Sequence, residues 1–193
     1  MPIIYTNGKG QIFTLYQGST KTGQAKYYFA LQSEGTLAKT IPPGDEIYEN
    51  PNAQVFLRRI PPQIITDEER YVVEEGMRTS ATVQDYKIDF RGNALLIYTA
   101  VQAIDALADL FKDLYPDPPA NVALMANLRK AVHYSPMLVF QLVDAHRRTF
   151  QTQRYCFLGS VEDWIEIGKP GKLTPLVKTY VTHLGQDSYV ELW

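Results

Sequence analysis

The sequence predicts an α+β fold: an N-terminal antiparallel β-meander over residues 1–60, then a helix-rich α/β domain over 63–193. Three observations predict it. Short runs rich in aromatic and branched residues, cut by Gly and Pro, fill the first 60 residues. Pro61-Pro62 then makes a stiff connector. Beyond it, apolar residues recur at helical spacing.

Residues 11–17 (QIFTLYQ) and 26–31 (KYYFAL) read as strands, and GSTKTG between them supplies Gly18 and Gly23 for a hairpin loop. Alternation puts Phe13 and Leu15 on one face with Tyr27, Phe29 and Leu31. Thr14, Tyr16, Lys26 and Tyr28 take the other, outward face. Pro42-Pro43-Gly44 turns the chain into a short strand at 45–49. Asn50-Pro51-Asn52 turns it again into a strand at 54–59. In the second domain Thr66 and Glu69 form a capping-box signature behind an acidic first turn, and Gly76 weakens that helix near its end. Residues 83–98 read as a hairpin about Arg91-Gly92-Asn93. An amphipathic helix is expected over 100–115, closed by Pro116, Pro118 and Pro119, and another over 121–133. For 136–150 two signals favour helix over strand: Ser135-Pro136 as a start, and the spacing of Gln141, Asp144, Arg148 and Gln151. A strand over 155–158, a helix over 176–184 closed by Gly185 and an edge strand over 188–192 complete the chain. No internal repeat or low-complexity tract stands out.

Composition is that of an ordinary globular chain, with 45% hydrophobic residues and a net charge of −2. That balance argues against bulk attraction to nucleic acid. Residues 1–60 are the more cationic part, with six Lys/Arg against four Asp/Glu. The single cysteine, Cys156, excludes an internal disulfide. No apolar run suits a secretory signal, and none reaches the roughly 20 residues of a membrane helix. The expectation is a soluble cytosolic protein.

Several stretches resemble an uncharacterised bacterial protein family: Tyr5-Thr6-Asn7 with Lys9-Gly10, Thr20-Lys21-Thr22-Gly23, EIYENPNAQVFLRR over 46–59 and HLGQDSYVEL over 183–192. Gly8 departs from the pattern, which often has a basic residue there. The resemblance implies a bacterial-type cytosolic protein and brings no activity with it.

The chemistry of known motifs is missing. GSTKTG is not a phosphate loop, because Thr20 precedes Lys21 and a strand follows. Gly8-Lys9-Gly10 lacks the third glycine of a dinucleotide fingerprint, where Phe13 stands. His133, His146 and His183 have no metal-ligand spacing; His183 suits a helix C-terminus. Asp144 and Arg148 form an i,i+4 ion pair if 136–150 is helical. Met137, Leu138 and Val139 are too apolar for a DNA-reading helix. Cys156, among Tyr155, Phe157 and Leu158, reads as a small buried hydrophobe.

No catalytic residue, metal ligand or cofactor is therefore predicted. The candidate binding residues are Lys9, Tyr16, Lys21, Lys26 and Tyr28 on and around the first hairpin, with Arg58 and Arg59 at a strand end. Aromatic rings beside cations hold anionic groups or stack on flat ones. The leading expectation is a non-enzymatic binding or adaptor protein that contacts a protein or an anionic ligand through this sheet. The alternatives are an enzyme with a site in a cleft between the two parts, and weak nucleic-acid binding through the same face.

Overall fold

The structure, a computed structural model, describes residues 1–32, 35–101, 118–158 and 161–193. Strands dominate it. Among the described residues the chain forms two compact units, one holding Met1–Pro61 and 118–132, the other 62–101 and His133–Trp193.

The first unit contains two sheets. Strands β1 (Ile4–Thr6), β2 (Ile12–Ser19), β3 (Ala25–Ala30) and β4 (Thr36–Leu37) form one of them. There β2 pairs with β3 along one edge and with β1 and β4 along the other. Strands β5 (Asp45–Glu49) and β6 (Val55–Arg59) form a separate two-stranded ribbon. The four expected strands are thus present, but they divide between two sheets and make no single meander. Helix α2 (Pro118–Ala131) belongs to this unit. Pro118 and Pro119 stand at the start of its described residues, and the helix they are expected to close falls largely on residues outside the described ones.

The second unit is a five-stranded antiparallel sheet in the order β11-β10-β9-β8-β7. Its strands are β7 (Tyr86–Arg91), β8 (Ala94–Ala100), β9 (Tyr134–Asp144), β10 (Thr149–Leu158) and β11 (Val161–Gly171). Helices α1 (Asp67–Ser80) and α3 (Leu173–Tyr180) contribute Val73, Met77, Leu173, Leu176 and Val177 to its core. The strands contribute Leu95, Ile97, Leu138, Phe140, Leu142, Phe150 and Ile167. The capping box at Thr66 is formed, with reciprocal bonds between Thr66 and Glu69.

This corrects the expected helix-rich α/β domain. The segment read as a helix over 136–150 is most of β9, a turn and the start of β10. Its period is hidden because Leu138, Val139, Phe140 and Leu142 are all buried, so both faces of the central strand are apolar. Pro136 sits where the β8–β9 register shifts, at a place that tolerates a missing ladder donor. The expected Asp144–Arg148 pair does not form. Asp144 accepts the Arg147 N–H at 2.8 Å, and Arg148, at φ 48°, forms an ion pair with Glu69. The expected last strand is a 3-10 turn over Asp187–Tyr189, and the helix before it ends at Tyr180. His183 is engaged by Ser188 Oγ at 2.8 Å. The helix expected over 100–115 falls largely on 102–117, outside the described residues; Ala100 ends β8. Among the described residues no helix is long and apolar enough to cross a membrane.

Candidate functional site

Three turns of one kind shape the first unit. In Asn7–Gln11 the first residue donates its backbone N–H to the fifth and accepts from the fourth, and its side-chain oxygen accepts the N–H of Gln11 at 2.8 Å. Thr20–Gln24 and Asn50–Gln54 repeat that pattern. In each the fourth residue is left-handed: Gly10, Gly23 and Ala53. The GSTKTG loop is therefore a hairpin tip that uses the amides of Gly23 and Gln24 on Thr20. Two of these turns clasp each other, since buried Asn7 donates to Ala53 O at 2.7 Å. Glu49 adds a second tie, accepting from Tyr5 Oη and Gly8 N, each at 2.9 Å. A Cβ on Gly8 would stand 3.0 Å from Glu49 Oε1, so any side chain there would have to shift the Glu49 carboxylate slightly.

The hairpin faces follow the expected alternation, with Leu15 opposite Phe29 and Tyr16 opposite Tyr28. The second face is not open, however. Tyr16 is only 8% exposed and stacks on Tyr28 with ring centroids 6.0 Å apart. Tyr28 is half-buried, and Lys26 and Lys21 are exposed. Lys9, half-buried, gives its backbone N–H to Asn7 Oδ1 within the first turn. Arg58 and Arg59 lie on the ribbon. Arg59 binds Asp45 at 3.2 Å and the Pro43 carbonyl at 2.7 Å. Of the predicted residues, Tyr16 and Tyr28 form a stacked pair, Lys21 and Lys26 are exposed, and Arg58 and Arg59 are engaged in ion pairs on the ribbon.

The ribbon holds a better-formed group. Glu46 faces Arg58 and Tyr48 faces Phe56 across β5 and β6, so all four share one side of the ribbon. Arg58 Nε donates to Glu46 at 2.9 Å, and its guanidinium carbon lies 3.7 Å from the Tyr48 ring centroid. Tyr48 stacks on Phe56 at 6.3 Å and 26°. Phe56 ends the ladder and is 45% exposed. Each member orients the next: carboxylate fixes guanidinium, guanidinium fixes phenol, phenol supports phenyl. The opposite side of the ribbon carries buried Val55, with Ile47 and Leu57 half-buried. Of the four, only Arg58 was expected as a binding residue. Mirrored placement about the Asn50 turn, Glu-x-Tyr before it and Phe-x-Arg after it, was the signal that could have found the rest.

The second unit has its own aromatic group, with Tyr155 edge-on to Phe157 at 4.7 Å and to Trp164 at 5.2 Å. It also has a hollow of about 140 Å³ between α1 and α3, lined by Val72, Gly76, Thr79 and Val177 among others. Cys156 is buried. Among the described residues no cluster of His, Cys, Asp or Glu is arranged to hold a metal ion. No family model, curated protein or solved structure matches the chain.

Proposed function

We propose that this is a non-enzymatic cytosolic binding or adaptor protein, and that its contact surface is the Arg58–Tyr48–Phe56 ladder of the ribbon. The observation that carries the reading is a half-exposed Phe56 at the end of a ladder already fixed from behind. A ring held in place before binding loses little rotamer freedom when a partner covers it, and aromatic and arginine side chains dominate interface energetics. The partner is read as a protein that places an apolar side chain on Phe56. Charge favours protein over nucleic acid, because Glu46 already neutralises Arg58 and the chain as a whole carries −2. A buried, unpaired Cys156 suits the reducing cytosol.

Photo-crosslinking in the native cell tests this. Benzoylphenylalanine in place of Phe56 is expected to give a discrete protein adduct, and the same group in place of exposed Val122 on α2 is expected to give none. A nuclease-sensitive adduct at 56 would favour the nucleic-acid reading, and no adduct at 56 would contradict the proposal.

A further inference from the structure

Arg154, on β10, is among the most deeply buried side chains of the second unit, 1% exposed, with Leu138 opposite it on β9 and Ile165 on β11. The guanidinium is satisfied by backbone and rings. Its Nε donates to Leu192 O at 2.8 Å and its Nη2 to Val190 O at 3.2 Å. The Tyr189 and Trp193 ring centroids stand 5.9 and 5.2 Å from its central carbon. All four partners lie within residues 187–193.

That segment has few other anchors. Tyr189 Oη donates to Met137 O at 2.6 Å and accepts from Tyr155 N at 3.1 Å, and Trp193 O accepts from Gly168 N at 3.3 Å. Tyr189 is buried and Leu192 half-buried, while Asp187, Val190, Glu191 and Trp193 are exposed. The amides of Val190, Glu191 and Leu192 bond inside the segment, to Asp187, Ser188 and Tyr189. The segment thus has hydrogen bonds of its own and is tied down chiefly by Arg154 and by Tyr189, with Gly168 N on Trp193 O, His183 on Ser188 and the half-buried Leu192 as lesser ties. A cation in this setting has given up hydration for neutral carbonyls and ring faces, and that exchange holds only while the segment is closed. Opening returns the guanidinium to water and recovers part of the cost of lifting the segment.

We propose that residues 187–193 form a strap that opens and closes as one unit on the sheet of the second unit, with Arg154 as its pin. Segments with few buried apolar side chains are the ones that open below the global unfolding free energy.

Native-state hydrogen exchange on the intact chain tests this. The amides of Val190, Glu191 and Leu192 are expected to exchange together, about 100-fold or more faster than those of β9 and β10, with little dependence on denaturant. In Arg154→Met they are expected to exchange about ten-fold faster again while the sheet amides keep their rates. Strap and sheet amides that share one rate and one denaturant dependence in the unaltered chain would overturn the strap, whether or not the variant folds. A folded Arg154→Met with unchanged strap exchange would overturn the pin.

Discussion

Gly76 shows what a single residue decides in the second unit. A Cβ built there would stand 2.2 Å from Val177 Cγ1, so the absence of a side chain sets how closely α1 and α3 approach. Read from sequence alone, this glycine only weakens a helix; in the fold it is the contact point. Gly76→Ala is expected to destabilise by about 1–3 kcal/mol, the usual range for overpacking, despite better helix propensity. Urea unfolding measures it, and a stabilised variant would contradict the close crossing. The Glu69–Arg148 pair makes a second residue-scale prediction. Burial would raise the Glu69 carboxyl, but hydrogen bonds from Arg148 and from the Thr66 backbone, with the Arg148 charge, hold it below the usual glutamate range. A carboxyl lowered on folding stabilises above its unfolded pKa and loses that contribution as pH falls through the lowered folded value. Glu69→Gln should therefore lower stability at neutral pH and flatten its loss on acidification. An equal destabilisation at neutral pH and at acid pH below the folded value would contradict the linkage.

At the scale of elements, the three like turns allow an internal comparison. Gly10 and Gly23 are left-handed, and a Cβ added to either would meet nothing within 4 Å, so replacing either by Ala tests backbone strain alone. Each is expected to cost about 1 kcal/mol. Ala53 already bears that strain at φ 64°, and Ala53→Gly should shift stability less, because the relief is offset by a freer unfolded chain. Chemical denaturation of the three variants checks the order; a loss on Ala53→Gly as large as on Gly10→Ala would contradict it. These turns were legible in the sequence, since N-G-K-G-Q, T-K-T-G-Q and N-P-N-A-Q share a side-chain acceptor and a closing glutamine, and the first two also have a glycine at the left-handed position. The capping box and the Gly92-Asn93 hairpin were legible for the same reason: their chemistry is local. Strand β9 was not, because it is central in the sheet and Leu138, Val139, Phe140 and Leu142 make both of its faces apolar, which erases its period. The division of the first unit into two sheets was not legible either, since pairing depends on β1 and β4, strands of three and two residues. All of the ladder but Arg58 was missed because Glu46, Tyr48 and Phe56 gain their meaning only from register across the ribbon.

The molecule comprises two units: a small two-sheet unit that carries a fixed aromatic ladder, and a five-stranded antiparallel sheet with two helices in its core. The expected hairpin surface and the ladder make opposite predictions. Tyr16→Ala should lower stability, because Tyr16 is 8% exposed and stacked, whereas Lys26→Glu should leave both stability and partner binding nearly unchanged. Thermal melting separates them, and a Tyr16→Ala variant as stable as the parent would restore the hairpin face as a free surface. The ladder itself is put at risk by the affinity of the partner recovered by crosslinking, measured for the unaltered chain and for Phe56→Ala. The expected result is a loss of about ten-fold or more, as for an interface anchor, with the melting temperature little changed. Equal affinity in a folded Phe56→Ala variant would contradict it.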